Sequence, residues 1–228
     1  MNKILKIGHR GAKGYVAENT LDSIKKAMAL GVDGVEIDVH LCKSGEVVVF
    51  HDFTLDRTTN GTGNIGDFSL SELKKLKIDN QYEIPTLLEV LDLIGDSIII
   101  NIELKGDKTA QPTSDIINYY IANKKWSMDH VLVSSFKASE LMDVFNYNSN
   151  IPLGVLTEGD WAEALVFAKS IRAKAIHPDF KMLTQDNVRQ AQQLGFQINT
   201  WTVNKKQDIE KVISYQVDAI ISDFPDRI

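Results

Sequence analysis

Short apolar runs alternate with amphipathic segments along the whole chain, the pattern of strands feeding helices in a parallel α/β domain. The runs predict strands at 5–8, 34–39, 47–50, 98–104, 131–134, 153–156, 175–177, 197–202 and 219–222. Helix starts fall between most of them. Thr86 with Glu89, Asp160 with Glu163 and Asn204 with Gln207 have capping-box spacing, in which first-turn amides and side-chain acceptors satisfy one another. Gly31 and Gly195 stand where left-handed C-terminal caps are expected.

About eight strand–helix units in 228 residues predict an α/β fold, a TIM-type (β/α)8 barrel, whose usual size is about 250 residues. A doubly wound open sheet is the competing architecture. Nine strands are one too many for a simple barrel, so one is expected to be an extension. Between Val39 and Val47 there is no room for a parallel crossover, which takes a dozen or more residues. A hairpin there is expected to leave His51 about 15 Å or more from Asp38, at ~3.3 Å per residue. If the two share a site, residues 40–46 are expected to descend in extended form instead. Residues 52–80 form the longest irregular stretch and read as a short insertion after the third strand. Gly61–Gly66 spells G-x-G-x-x-G, but no strand precedes it and no helix opens directly after it, so the match to a dinucleotide fingerprint is incidental. The chain, 1–228, reads as one domain.

Composition narrows the partners. The net charge of -6 lacks the basic footprint of a nucleic-acid binder. An anionic substrate stays open, because local cations or a metal invert the field within one cleft. No apolar run approaches the roughly 20 residues needed to span a bilayer, so no stable membrane insertion is expected. The opening residues, Met1 to Ile7, leave no room for a leader's apolar core. Cytoplasmic placement is the expectation, although a secreted protein stripped of its leader would read the same. The single cysteine, Cys42, excludes an internal disulfide.

Polar residues gather at the predicted strand ends, which share one rim in a parallel barrel. Gly8-His9-Arg10-Gly11 follows the first strand and offers a proton-exchanging imidazole beside a planar guanidinium. A plain surface loop would look similar. Glu36 and Asp38 lie two apart in an apolar strand and so share a face. Buried charges need compensation, by a cation or by a salt bridge to lysine or arginine. Asn101, Glu103 and Lys105 share a face in another strand, and Glu103 would complete a three-carboxylate set. An all-oxygen set suits Mg²⁺ or Ca²⁺ better than zinc. Lys105 either neutralises a phosphate oxygen or pairs with Glu103, and the two roles are compatible. His51-Asp52 reads as an acid–base pair, a metal ligand or simple exposure. Trp201 at a strand end is a candidate packing surface for substrate or a core residue. His177 falls at a rim position, His40 in a turn and His130 at the opposite end; Asp218 and Asp223 read as holding loops or helix starts.

Together these segments resemble the glycerophosphodiester phosphodiesterase family. The resemblance rests on Gly8-His9-Arg10-Gly11, Glu18-Asn19-Thr20, Glu36-Ile37-Asp38, His51-Asp52, Asp56-Arg57-Thr58-Thr59-Asn60-Gly61, Asn101-Ile102-Glu103-Leu104-Lys105, Trp201-Thr202-Val203-Asn204 and residues 218–225, in order and spacing. Ala17 departs from the proline usual before Glu-Asn-Thr, and Cys42 from a threonine in the turn. The resemblance implies one divalent cation, Mg²⁺ or Ca²⁺, on Glu36, Asp38 and Glu103, with His9 and His51 as the acid–base pair. It implies a small glycerophosphodiester substrate and a cyclic phosphate on the path to glycerol 3-phosphate. The working hypothesis for the remaining candidates puts Lys105 against charge on the phosphate, Arg10 as its orienting group and Trp201 against the glycerol. The short insertion suggests an open pocket. A lysophospholipase D-like activity is the alternative enzyme, and a non-catalytic phosphodiester-binding barrel the alternative of another class.

Overall fold

The computed structural model describes residues 3–228; Met1 and Asn2, where the leader reading begins, lie outside the described residues. Strand and helix alternate as β1 (Leu5–His9), α1 (Leu21–Ala29), β2 (Gly34–Leu41) and β3 (Val47–Val49), then α2 (Leu70–Leu73), α3 (Leu87–Ile94) and β4 (Ile99–Leu104). The rhythm is then regular, through α4 (Ala110–Asn123), β5 (Val131–Ser135), α5 (Ala138–Tyr147), β6 (Leu153–Thr157) and α6 (Trp161–Ser170). It ends with β7 (Ala175–Pro178), α7 (Gln185–Gln193), β8 (Gln197–Thr200), α8 (Lys206–Ser214) and β9 (Ala219–Ser222). β1 pairs in parallel with both β2 and β9, which closes eight parallel strands into the expected barrel. The ninth strand, β3, is the extension.

Strand parity sorts the side chains. In β2 and β4, Val35, Ile37, Val39, Ile100, Ile102 and Leu104 belong to the main apolar core with the inner faces of the helices. Burying such a side chain stabilises by roughly 1.5–3 kcal/mol. The alternate positions, Glu36, Asp38, Asn101 and Glu103, are turned the other way, into the barrel. There the lower bore is closed by a small apolar group, Ile7, Ala219 and Ile221, with Leu5 and Trp201 against it.

The 39–47 connection is a hairpin, not an extended descent. Val39, His40 and Leu41 pair antiparallel with Val49, Val48 and Val47. The hairpin nevertheless brings His51 to Asp38, because β2 overshoots its barrel neighbours and β3 returns toward the rim. The Phe50 amide donates to the Asp38 carbonyl at 2.9 Å. The ~15 Å expectation failed because it placed the hairpin inside the barrel wall instead of above it.

The insertion has its own small core. Leu55, Ile65, Leu73 and Ile78 pack with Cys42, Val48, Phe50 and Ile84. Of the three capping-box readings, Thr86 and Glu89 form a reciprocal box, while Asp160 caps its helix by accepting from the amides of Ala162 and Glu163 without the return bond from Glu163. Asn204 does not cap α8, whose preceding residue is Lys205 without a side-chain cap bond. Its side chain is drawn to Ser222 and Asp223 instead. Among the described residues, no helix is long and apolar enough to cross a membrane.

His177 was expected at the rim, but it lies wholly buried in the bore. Asn199 Nδ2 donates to its Nε2 at 3.1 Å. The ring fits because residue 154 is glycine; a Cβ there would stand 2.6 Å from His177 Nε2. Burial pushes the imidazole down to about 3. The folded ring therefore stays neutral where the unfolded one takes a proton, so its contribution is present above the unfolded value of about 6.5 and is lost as pH falls below it. We expect stability from this group to decline by about 1.4 kcal/mol per pH unit between roughly pH 5.5 and 4. Urea melts of wild type and His177→Asn should converge by that slope as pH falls; parallel pH curves would contradict it.

Candidate active site

The site grows from the register of three adjacent strands. His9 pairs with Glu36 across β1 and β2, Glu36 with Asn101 and Asp38 with Glu103 across β2 and β4. Neighbouring strands lie about 4.8 Å apart, so side chains of one parity at one level converge. Glu36, Asp38 and Glu103 each offer an oxygen within 4.8 Å of the others, and all three residues are buried.

Three buried carboxylates at this distance repel one another. Glu36 is pushed well above the usual carboxylate range by burial and by the charges of Asp38 and Glu103. Glu103 is pushed up to about 7 by burial and by Asp38. Burial pushes Asp38 upward too, but Arg10, His51 and Lys105 outweigh it and hold it below its ordinary value. Glu36 Oε1 and Asp38 Oδ1 are buried with no hydrogen-bond partner. Clustered carboxylates with unpartnered buried oxygens are what a divalent cation satisfies, since it supplies the missing contacts and favours the ionised forms, so the residues fit such an ion.

The loop after β1 supplies the surrounding charge. Arg10 has a positive φ of 51°, and the next residue, Gly11, has 84°. A Cβ at Gly11 would stand 2.5 Å from Ser23 Oγ, so the tight turn needs glycine there. In this conformation the Arg10 amide donates to Glu36 at 3.0 Å, while Arg10 Nε lies 3.2 Å from Asp38. Asn19 donates to Asp38 at 2.8 Å. Lys105 lies 2.9 Å from Glu103 and 3.8 Å from Asp38, so its ion pairing and its place at the cavity coexist.

Both histidines have the same arrangement. His9 Nδ1 lies 2.6 Å from Asp223, and His51 Nδ1 lies 2.6 Å from Asp52. An ionised carboxylate only accepts, so Nδ1 carries the hydrogen, and in the neutral ring Nε2 is left as the base. Burial holds both imidazoles below the usual histidine value, against the raising pull of the nearby carboxylates. Each orienting acid is fixed in turn. Asn204 donates to Asp223 at 2.7 Å. Arg57 clamps Asp52 at 2.5 and 3.0 Å and reaches Glu18 at 2.7 Å. Arg57, ahead of the His51 bond, draws Asp52 down to about 2. Glu18 also falls to about 2, because its two arginines outweigh burial.

A cavity of about 350 Å³ opens over these groups. Of the predicted site residues, His9, Arg10, Glu36, His51, Glu103, Lys105 and Trp201 line it. Asp38 lies beneath, bonded to Asn19. His177 and His40 are not among the lining residues; His40 is in β2, not a turn, and its Nε2 donates to the His51 carbonyl at 3.1 Å. His130 bonds Asp96 away from the site. Sequence reasoning missed Asp223, which was assigned to loop holding, and the Glu18–Arg57 link. It also missed Phe136 and Glu158, which line the cavity. The signal was available: each stands two residues beyond an inward strand position, Ser134 and Leu156.

The Glycerophosphoryl diester phosphodiesterase family profile matches residues 9–227. A glycerophosphodiester phosphodiesterase of Caldanaerobacter subterraneus is 37% identical over 99% of this chain and 96% of its own length. One from Bacillus subtilis is 31% identical over 99% of this chain and 85% of its own. A solved phosphodiesterase structure from Oleispira antarctica, in complex with the product sn-glycerol-3-phosphate, superposes with a TM-score of 0.88 at 29% identity, covering 97% of this chain and 94% of that one.

An ion that binds only the folded carboxylate cluster raises stability by mass action. At a hundredfold excess over Kd this amounts to about 2.7 kcal/mol, or roughly 5–10 °C in Tm for a chain of this size. We expect such a rise on adding Mg²⁺ or Ca²⁺ to EDTA-treated protein, and its loss in Asp38→Asn. A thermal melt unmoved by either ion would rule the cation site out.

Proposed function

The chain belongs to the glycerophosphoryl diester phosphodiesterase family, and from that membership we propose that it hydrolyses small glycerophosphodiesters to glycerol 3-phosphate and an alcohol. One observation carries the reading: two imidazoles, each tied through Nδ1 to its own carboxylate, face one cavity with Glu36, Glu103 and Lys105.

Glu36, Asp38 and Glu103 would hold one divalent cation, Mg²⁺ or Ca²⁺, which when bound supplies Lewis-acid stabilisation of charge on the phosphate. Lys105 and Arg10 offer fixed positive charge to the phosphate oxygens. Trp201 gives the glycerol carbons an apolar face. One histidine Nε2 takes the proton of the glycerol 2-hydroxyl as its oxygen bonds to phosphorus. The other, protonated, gives a proton to the leaving alcohol oxygen as its bond to phosphorus breaks. The resulting cyclic phosphate is opened by water, the two rings exchanging roles: one takes the water proton, the other returns a proton to the 2-oxygen. Asp223 and Asp52 keep each ring in the working tautomer throughout.

The lysophospholipase D-like alternative needs an apolar surface beside the cavity. Of the insertion's candidates, Leu55 and Ile65 are buried in its own core, and Phe68 and Leu70 pack against that core. Phe53 is exposed, and its ring stands edge-on to His40. Among the described residues, none of 52–80 lines the cavity, which fits a small substrate and an open mouth. A binding-only barrel would have no use for two oriented bases.

We expect release of glycerol 3-phosphate from glycerophosphocholine, abolished by EDTA and restored by Mg²⁺ or Ca²⁺. His9→Ala and His51→Ala should each lower kcat by about 10²–10⁴-fold. Asp223→Asn, which keeps shape but reverses the preferred tautomer, should lower kcat with little change in KM. Near-normal turnover in either alanine variant removes that histidine from the mechanism.

A further inference from the structure

The acid–base and phosphate-binding groups of the proposed reaction gather at one side of the cavity, after β1 and β3 and on β2 and β4. The far side carries different chemistry. Counting around the closed barrel, β6 stands opposite β1. Glu158, directly after β6, lines the cavity and is exposed. Among the described residues its carboxylate has neither an ion pair nor a hydrogen bond, unlike Glu18, Asp52 and Asp223 across the mouth. Two aromatic rings share the cavity wall with it. Phe136, after β5, is 42% exposed, and its ring meets Trp201 edge to face at 5.5 Å. The indole is pinned, since Nε1 donates to the His177 carbonyl at 2.8 Å. Lys105 Nζ lies 5.8 Å from the Phe136 ring centroid, so the aromatic pair borders the cationic, phosphate-facing side.

The two sides of the cavity therefore differ: Arg10 and Lys105 are already paired with Glu18, Asp38 and Glu103, whereas the far wall sets aromatic side chains beside a carboxylate that has no partner among the described residues. We infer that Glu158, with Phe136 held edge to face by Trp201, forms a subsite for a cationic leaving alcohol, so that this enzyme favours zwitterionic diesters carrying a quaternary or primary ammonium over diesters of neutral alcohols. A ring face attracts an organic cation through its quadrupole, and an unpaired carboxylate adds a charge partner at low desolvation cost. With the phosphate held at Lys105, a short alkyl spacer carries the ammonium away from the two cations and toward the anionic rim. The inference rests on the hydrolytic reading above.

The test compares kcat/KM for glycerophosphocholine and glycerophosphoglycerol, each with the activating divalent ion, in wild type, Glu158→Gln and Glu158→Lys. Glu158→Gln should lower the choline-to-glycerol ratio by about 3–5-fold, chiefly through KM, and Glu158→Lys by about 10-fold or more. The wild-type preference should also shrink as salt is raised, because the rim charge is solvent-screened. An equal loss on both substrates would mean that Glu158 accepts from the common glycerol hydroxyls, and an unchanged ratio that it meets only solvent; either overturns the subsite while leaving hydrolysis intact. Wild type inert toward both diesters overturns the hydrolytic reading and the subsite together.

Discussion

Three carboxylates held in one buried pocket are the constraint to which the rest of the site answers. The pairing of β2 with β4 sets Asp38 level with Glu103, and strand parity turns Glu36 to the same side. Like charges this close in a poor dielectric cannot all remain ionised without compensation, which is why Glu36 and Glu103 are pushed upward. The neighbouring groups read as responses. The left-handed turn at Arg10 and Gly11 brings an amide to Glu36 and a guanidinium to Asp38, Asn19 donates to Asp38, and Lys105 folds back on its own strand.

The two imidazoles are held by separate parts of the chain acting in the same way. His9 is oriented by Asp223 from the last strand, so the closing seam of the barrel also sets a ring. His51 is oriented by its neighbour Asp52, and the Arg57–Glu18 link ties that pair back to the loop after β1. The insertion thus contributes Asp52 and Arg57 to the site, while its apolar side chains form a core of their own. The overshoot of β2 makes this possible, since it lifts the turn above the rim and lets β3 deliver His51 beside Asp38.

The barrel separates stability from chemistry by direction. Side chains pointing outward from the strands form the large apolar core with the helices. Those pointing inward combine a small apolar group and the buried His177–Asn199 pair low in the bore with the charged groups toward the rim. The mouth is itself divided, with the imidazoles and the carboxylate cluster on or just after β1, β2, β3 and β4, and the aromatic groups after β5 and β8.

Much of this was legible in the residues alone. Apolar alternation located all nine strands to within two residues at each end, because burial on a pleated strand imposes its period locally. The same period showed that Glu36 with Asp38, and Asn101 with Glu103, share faces. The resemblance over nearly the whole chain named the histidines and the carboxylates together. What the period does not carry is the distance between strands remote in sequence. His9 and Asp223 are 214 positions apart, and only closure of the barrel makes them neighbours; Asn204, read as a helix cap, is claimed by Asp223 for the same reason. The hairpin at 42–46, the burial of His177 beneath the rim and the meeting of Phe136 with Trp201 were likewise decided by register and closure, which are properties of the assembled sheet and of no single segment.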